Sequence, residues 1–213
     1  MLDLSPVTLI TRLVSLVIAL TIHEFAHAWT ADHFGDPTPR QTGRLTLNPL
    51  AHLDFLGSLL ILVSGFGWAR PVMVNTYALR RHSSAALMWV ALAGPLSNLG
   101  LAILGAIPFR SGLVSLPITT GSFLPSPGYL LLEFGFLNII LAIFNLIPLA
   151  PLDGEKVFSY LAPPNLTPTL DKIRPFGPLI LLGVVFLGPY LGLDILGWIV
   201  WRPAFFLHNL LIG

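Results

Sequence analysis

From Val7 to Phe34 the chain contains neither glycine nor proline, and the stretch is apolar except for a few groups. A run of that length predicts one continuous helix, stopped by Gly35 and Pro37. It exceeds the roughly 20 apolar residues needed to cross a bilayer. Near its C-terminal end the run carries His23, Glu24 and His27. Ionisable groups inside a membrane span are costly and are by default functional. Whatever this chain folds into must therefore satisfy three polar side chains on one apolar helix.

The rest of the chain agrees with a membrane setting. Of its 213 residues, 54% are hydrophobic and 10% charged, and the mean hydropathy is +0.81. A soluble domain carries about 25% charged residues, so this chain lacks the charge to coat a globular surface. The net charge of +1 offers no nucleic-acid patch. With no cysteine, disulfides and thiolate metal sites are excluded. Arg12 lies inside the first apolar run and no small-residue cleavage site follows, so the segment reads as a mature helix rather than a signal peptide.

Beyond Gly35 the stretch DPTPRQTGRLTLNPLAHLD is turn-rich. Within it Arg44–Asn48 alternates polar and apolar residues, which predicts a short strand. Phe55–Trp68 is apolar but short and glycine-rich, suiting a re-entrant element better than a span. Ala85–Pro108 and Tyr129–Ile147 read as spans, and 177–211 as one or two more membrane helices. The predicted fold is an all-α polytopic membrane protein of about 4–6 membrane helices, with a small re-entrant β-hairpin or loop element after the first. It forms a single membrane-embedded domain over 1–213, with a core at about 8–160. Arg70, Arg80 and Arg81 in one loop, and Lys156, Lys172 and Arg174 in another, outweigh the lone Arg110 between the two spans. The positive-inside rule makes the first two loops cytoplasmic.

His23 and His27 are four residues apart, so their imidazoles share a helix face about 6 Å apart along the axis. With Glu24 they form H-E-x-x-H, two ligands of one Zn²⁺ beside a carboxylate able to activate water. The expected number of accidental matches in a chain of this composition is on the order of 0.002. Zinc needs a third protein ligand. His33 lies about 9 Å beyond His27 and roughly 120° off its face if the helix continues, and reads as an interfacial histidine. Glu133 begins the later span, at the outer end. Asp153 follows that span at the inner end, the depth of His23 and His27, and is the preferred ligand; Glu155 is the fallback. Asn145 could donate to a substrate carbonyl, or could merely cap its helix or bond across helices. Asn98 and Asn138 read as helix–helix glue, and His52 as a surface-loop histidine.

H-E-x-x-H in the first helix, GRLTLNPLAHLD, AGPLSN and NLIPLAPLDG together resemble the site-2 protease family of intramembrane zinc metalloproteases, peptidase family M50. The resemblance covers about residues 8 to 160, with Asn145, Pro148, Asp153 and Gly154 matching N-x-x-P-x-x-x-x-D-G. It implies one Zn²⁺ held by His23, His27 and Asp153, with Glu24 as catalytic base, and it tips Asn145 toward the site. It implies a compact member, without PDZ or CBS domains, that cuts transmembrane segments of membrane proteins. The setting so implied is the plasma membrane of a bacterium or archaeon, with the active site toward the cytoplasm. An unwound substrate could pair with the Arg44–Asn48 strand. Two other readings compete: a zinc-binding transporter or channel, and a metalloprotease of another clan with Glu155 or Glu133 as ligand.

Overall fold

The computed structural model describes residues 5–54, 56–57, 69–116 and 124–213. Among the described residues, three helices are long and apolar enough to cross a membrane. The first, α1 (Pro6–His33), begins where the Ser5 hydroxyl accepts the Thr8 N–H, with Pro6 in the first turn. It ends at Gly35, whose φ of +82° suits a residue without a Cβ. Two short turns follow, α2 (Thr38–Gln41) and α3 (Pro49–His52), and then α4 (Thr76–His82). The second long helix is α5 (Ala86–Arg110) and the third α6 (Pro127–Asn145), which Ser126 caps through the Tyr129 N–H. Each lies within a few residues of the span read from hydropathy.

The helices α1, α5 and α6 form the centre of the bundle. Small side chains, among them Ala19, Ala28, Ala91 and Ala102, are buried in these helices. Large apolar residues such as Leu13, Ile18, Leu96, Leu104 and Ile107 face outward, whereas Thr11, Ser15, His23, Asn98 and Asn138 are buried. That inside-out polarity belongs to a bundle surrounded by lipid, where close packing and polar contacts hold helices together.

After α6 the chain turns into α7 (Asp153–Leu161), followed by α8 (Thr167–Ile173) and α9 (Gly177–Leu182). Where one or two more membrane helices were expected, the chain is helical over 177–187 and again over 195–212, the latter ending in α10 (Arg202–Ile212). Helix α10 packs on α5 and α6 through Ala204, Leu207 and Leu211. The Arg110 guanidinium at the end of α5 caps its last carbonyls, those of Leu210 and Leu211.

The predicted strand is absent. Arg44–Asn48 is irregular, and no strand occurs among the described residues. Its backbone groups are already engaged locally: His52 Nε2 donates to the Thr46 carbonyl at 2.7 Å, and the Asn48 N–H donates to the Thr46 hydroxyl at 3.2 Å. The Asn48 side chain in turn caps α3 through the Leu50 N–H. Such side-chain bonds compete with a β ladder. Most of the expected re-entrant element at 55–68 lies outside the described residues. His52 is fully buried rather than a surface residue, and its carbonyl receives the Arg70 N–H at 2.8 Å. Arg44 bridges the same two segments by donating to the carbonyls of Ala51 and Arg70. Asp36, also fully buried, accepts the Thr38 and Asn75 N–H groups at 2.9 and 2.6 Å.

The first turn of α7 lies against the end of α6. A methyl group added at Gly154 would collide with the Leu146 and Ile147 carbonyls. Gly154→Ala is expected to push this turn away and to cost about 1–3 kcal/mol of stability through overpacking. Thermal unfolding in detergent measures it; an unchanged midpoint would show that α7 pivots freely.

Candidate metal centre

Helix α1 brings His23 and His27 to one face because they are one turn apart, and α5 receives that face at Gly94. A Cβ at position 94 would clash with His27 Nε2 and lie 2.6 Å from His23 Cε1. Only a glycine lets α5 approach the two rings this closely. The third group arrives from the far side of the sequence. At the start of α7, Asp153 Oδ2 lies 3.3 Å from His23 Nε2 and 3.1 Å from His27 Nε2. The two Nε2 atoms are themselves 3.1 Å apart. Among the described residues, His23, His27 and Asp153 form a group able to hold a metal ion.

The outer ring nitrogens are occupied. His27 Nδ1 lies 2.7 Å from the Val90 carbonyl, and His23 Nδ1 lies 2.6 Å from Asn98 Oδ1. A carbonyl oxygen can only accept, so His27 Nδ1 carries the proton and its Nε2 presents a lone pair inward. The Asp153 carboxyl and the inward Nε2 of each ring thus converge on one point. Ligand atoms around a tetrahedral Zn²⁺ with bonds of about 2.0–2.1 Å stand roughly 3.3 Å apart. The observed triangle has that size, and its chemistry, two imidazoles and a carboxylate, suits zinc.

Glu24 is buried on α1 beside His23, and its Oε2 accepts the Val72 N–H at 3.2 Å. Asn145 sits in the last turn of α6 and donates to the Leu141 carbonyl at 3.0 Å. Among the described residues, no hydrogen bond joins it to the three-donor group. The competing ligands fall away. His33 is exposed and stacks on Trp29 with ring centroids 5.7 Å apart. Glu155 is engaged by Arg174 Nε at 2.8 Å and Ser159 Oγ at 2.9 Å. Glu133 lies about 18 Å along α6 from Asn145, at the other end of the helix. Gly94 and Asn98 both stand in AGPLSN, yet sequence reasoning assigned the glycine no contact and read the asparagine as helix–helix glue. Their spacing, four residues apart on one helix face, was the available signal.

Comparison with known proteins finds relatives that are named as zinc metalloproteases. A Bacillus subtilis protein named "Putative zinc metalloprotease YwhC" is 40% identical over 189 residues, spanning 86% of this chain and 84% of the relative. The chain belongs to the YwhC family. The family extends to Mycobacterium tuberculosis, whose "Putative zinc metalloprotease Rip2" is 31% identical over 196 residues, 87% of this chain and 70% of Rip2. An archaeal protein, "Putative zinc metalloprotease MJ0611" of Methanocaldococcus jannaschii, is 37% identical over 108 residues, 49% of this chain and 50% of its own. No family model matches the chain, and no solved structure matches it closely.

Gly94→Ala is expected to drive both rings apart and to weaken metal binding at least about tenfold, the scale on which ligand-supporting residues act. Competition against a chelator reads the change. Unaltered affinity would show that the rings repack around the added methyl.

Proposed function

We propose that this member of the YwhC family is a zinc-dependent intramembrane endopeptidase of the site-2 protease type, in peptidase family M50. It hydrolyses peptide bonds in or near transmembrane segments of membrane proteins. The observation that carries the reading is the convergence of His23 Nε2, His27 Nε2 and Asp153 Oδ2 within 3.1–3.3 Å, inside a bundle whose outer face is apolar. Zinc held by these three residues supplies Lewis acidity, polarising the scissile carbonyl and acidifying water.

The remaining steps belong to the chain's own groups. Glu24 takes a proton from the attacking water and passes it to the leaving amine nitrogen. The Val72 N–H orients that carboxylate. Asn145 releases its bond to the Leu141 carbonyl and donates to the substrate carbonyl as negative charge develops on its oxygen. A substrate helix must first unwind, since its carbonyls are otherwise engaged. The apolar spans and the loop charges support a membrane site facing the cytoplasm, and the bacterial and archaeal relatives support the plasma membrane of such an organism.

Glu24→Gln should lower cleavage of a transmembrane substrate about 10²–10⁴-fold while bound zinc stays at one per chain. Cleavage that persists undiminished removes Glu24 from the chemistry. A chelator strong enough to strip zinc should abolish cleavage by the unsubstituted protein, and added Zn²⁺ should restore it; chelator-resistant cleavage would exclude a metal-dependent route.

A further inference from the structure

Asn98 and Asn138 are fully buried polar side chains on two different spans, and His23 stands on a third. Their hydrogen bonds form a chain whose direction can be read from one end. Asn138 Nδ2 lies 2.8 Å from the Phe134 carbonyl, one turn earlier on α6. A backbone carbonyl has no proton to give, so the Asn138 amide must present NH₂ there and turn its oxygen toward α5. That oxygen receives Asn98 Nδ2 at 2.8 Å. The same Asn98 NH₂ faces a second acceptor, the Ala19 carbonyl on α1, at 3.4 Å. Asn98 therefore has its oxygen left for His23, 2.6 Å from Nδ1.

We infer that the Phe134–Asn138–Asn98 relay is a positioning device that fixes His23 as the Nδ1–H tautomer, aiming its Nε2 lone pair at Asp153 Oδ2 and His27 Nε2. An Asn98 amide turned the other way would present NH₂ to His23. Nδ1 would then have to accept, and the ring proton would move to Nε2, into the space the cation needs. The Phe134 and Ala19 carbonyls admit one orientation of the pair, and it is the one that ligation needs. His27 has no such relay, because the backbone carbonyl of Val90 performs the same task directly. The two imidazoles are thus oriented by different means, one dependent on side chains and one not. Second partners of this kind orient metal-binding histidines and raise their basicity.

The inference rests on the zinc reading of the site, and its test separates the two. Zinc affinity is measured by chelator competition in the full chain carrying Glu24→Gln, together with the imidazole N–H resonances of the zinc-loaded protein. Asn98→Leu is expected to weaken zinc binding about 10–100-fold. Asn98→Asp keeps an acceptor for His23 while losing the donors to Asn138 and Ala19, and should stay within about threefold of the parent, the span expected when the second partner is retained. Asn138→Leu frees the Asn98 amide to turn and should give an intermediate loss. In each weakened variant the His23 Nδ1–H resonance shifts or broadens while that of His27, anchored to the backbone, stays in place. Equal losses in Asn98→Leu and Asn98→Asp, or an unmoved His23 resonance in Asn98→Leu, would reduce the relay to packing and overturn the inference alone. A parent protein that binds no zinc would overturn the metal reading and the inference with it.

Discussion

Two imidazole nitrogens and a carboxylate oxygen face one another at 3.1–3.3 Å in the interior of this bundle. Without a positive charge among them these groups repel, and the low dielectric around them makes the repulsion expensive. The surrounding fold is organised to hold that arrangement together. Helix α1 contributes two of the donors through simple one-turn spacing. The turn between α6 and α7 returns the chain to the same depth and delivers the third. Gly94 lets α5 back onto the rings, and Gly154 lets α7 seat its first turn against the end of α6.

The bundle reverses the polarity of a soluble domain. Its lipid-facing surface is Leu and Ile, and its interior holds Thr11, Ser15, His23, Asn98 and Asn138. Adhesion between such helices comes from close packing and a few hydrogen bonds, because lipid tails are as apolar as the side chains. Here the interhelical bonds are not interchangeable. Those joining α6, α5 and α1 run in one direction and end on a ring that belongs to the donor triangle. A polar network that holds the helices together also selects a histidine tautomer.

At one end of the bundle, irregular chain is held by charge-assisted and side-chain bonds rather than by a ladder. Asp36 ties the start of the 36–38 turn to Asn75, while Arg44 and His52 tie 44–52 to Arg70. These ties place the Val72 N–H against Glu24. The buried carboxylate therefore has its orientation set by a loop rather than by its own helix. That dependence explains why an alternating pattern at Arg44–Asn48 did not become a strand: Thr, Asn and His side chains there claimed the backbone groups first.

The sequence alone determined the three long helices and the shared face of His23 and His27, and it favoured Asp153 as the group that joins them. These follow from local geometry: 3.6 residues per turn, 1.5 Å per residue, and a hydrocarbon thickness that any apolar helix must match. The tertiary structure alone decided that Gly94 is a point of contact, that Asn98 points its oxygen and not its nitrogen at His23, and that His52 is buried. Residues 23, 98, 138 and 153 meet only when three helices are packed in one rotation and register. Nothing in the spacing of any single helix states which face of its neighbour it will meet.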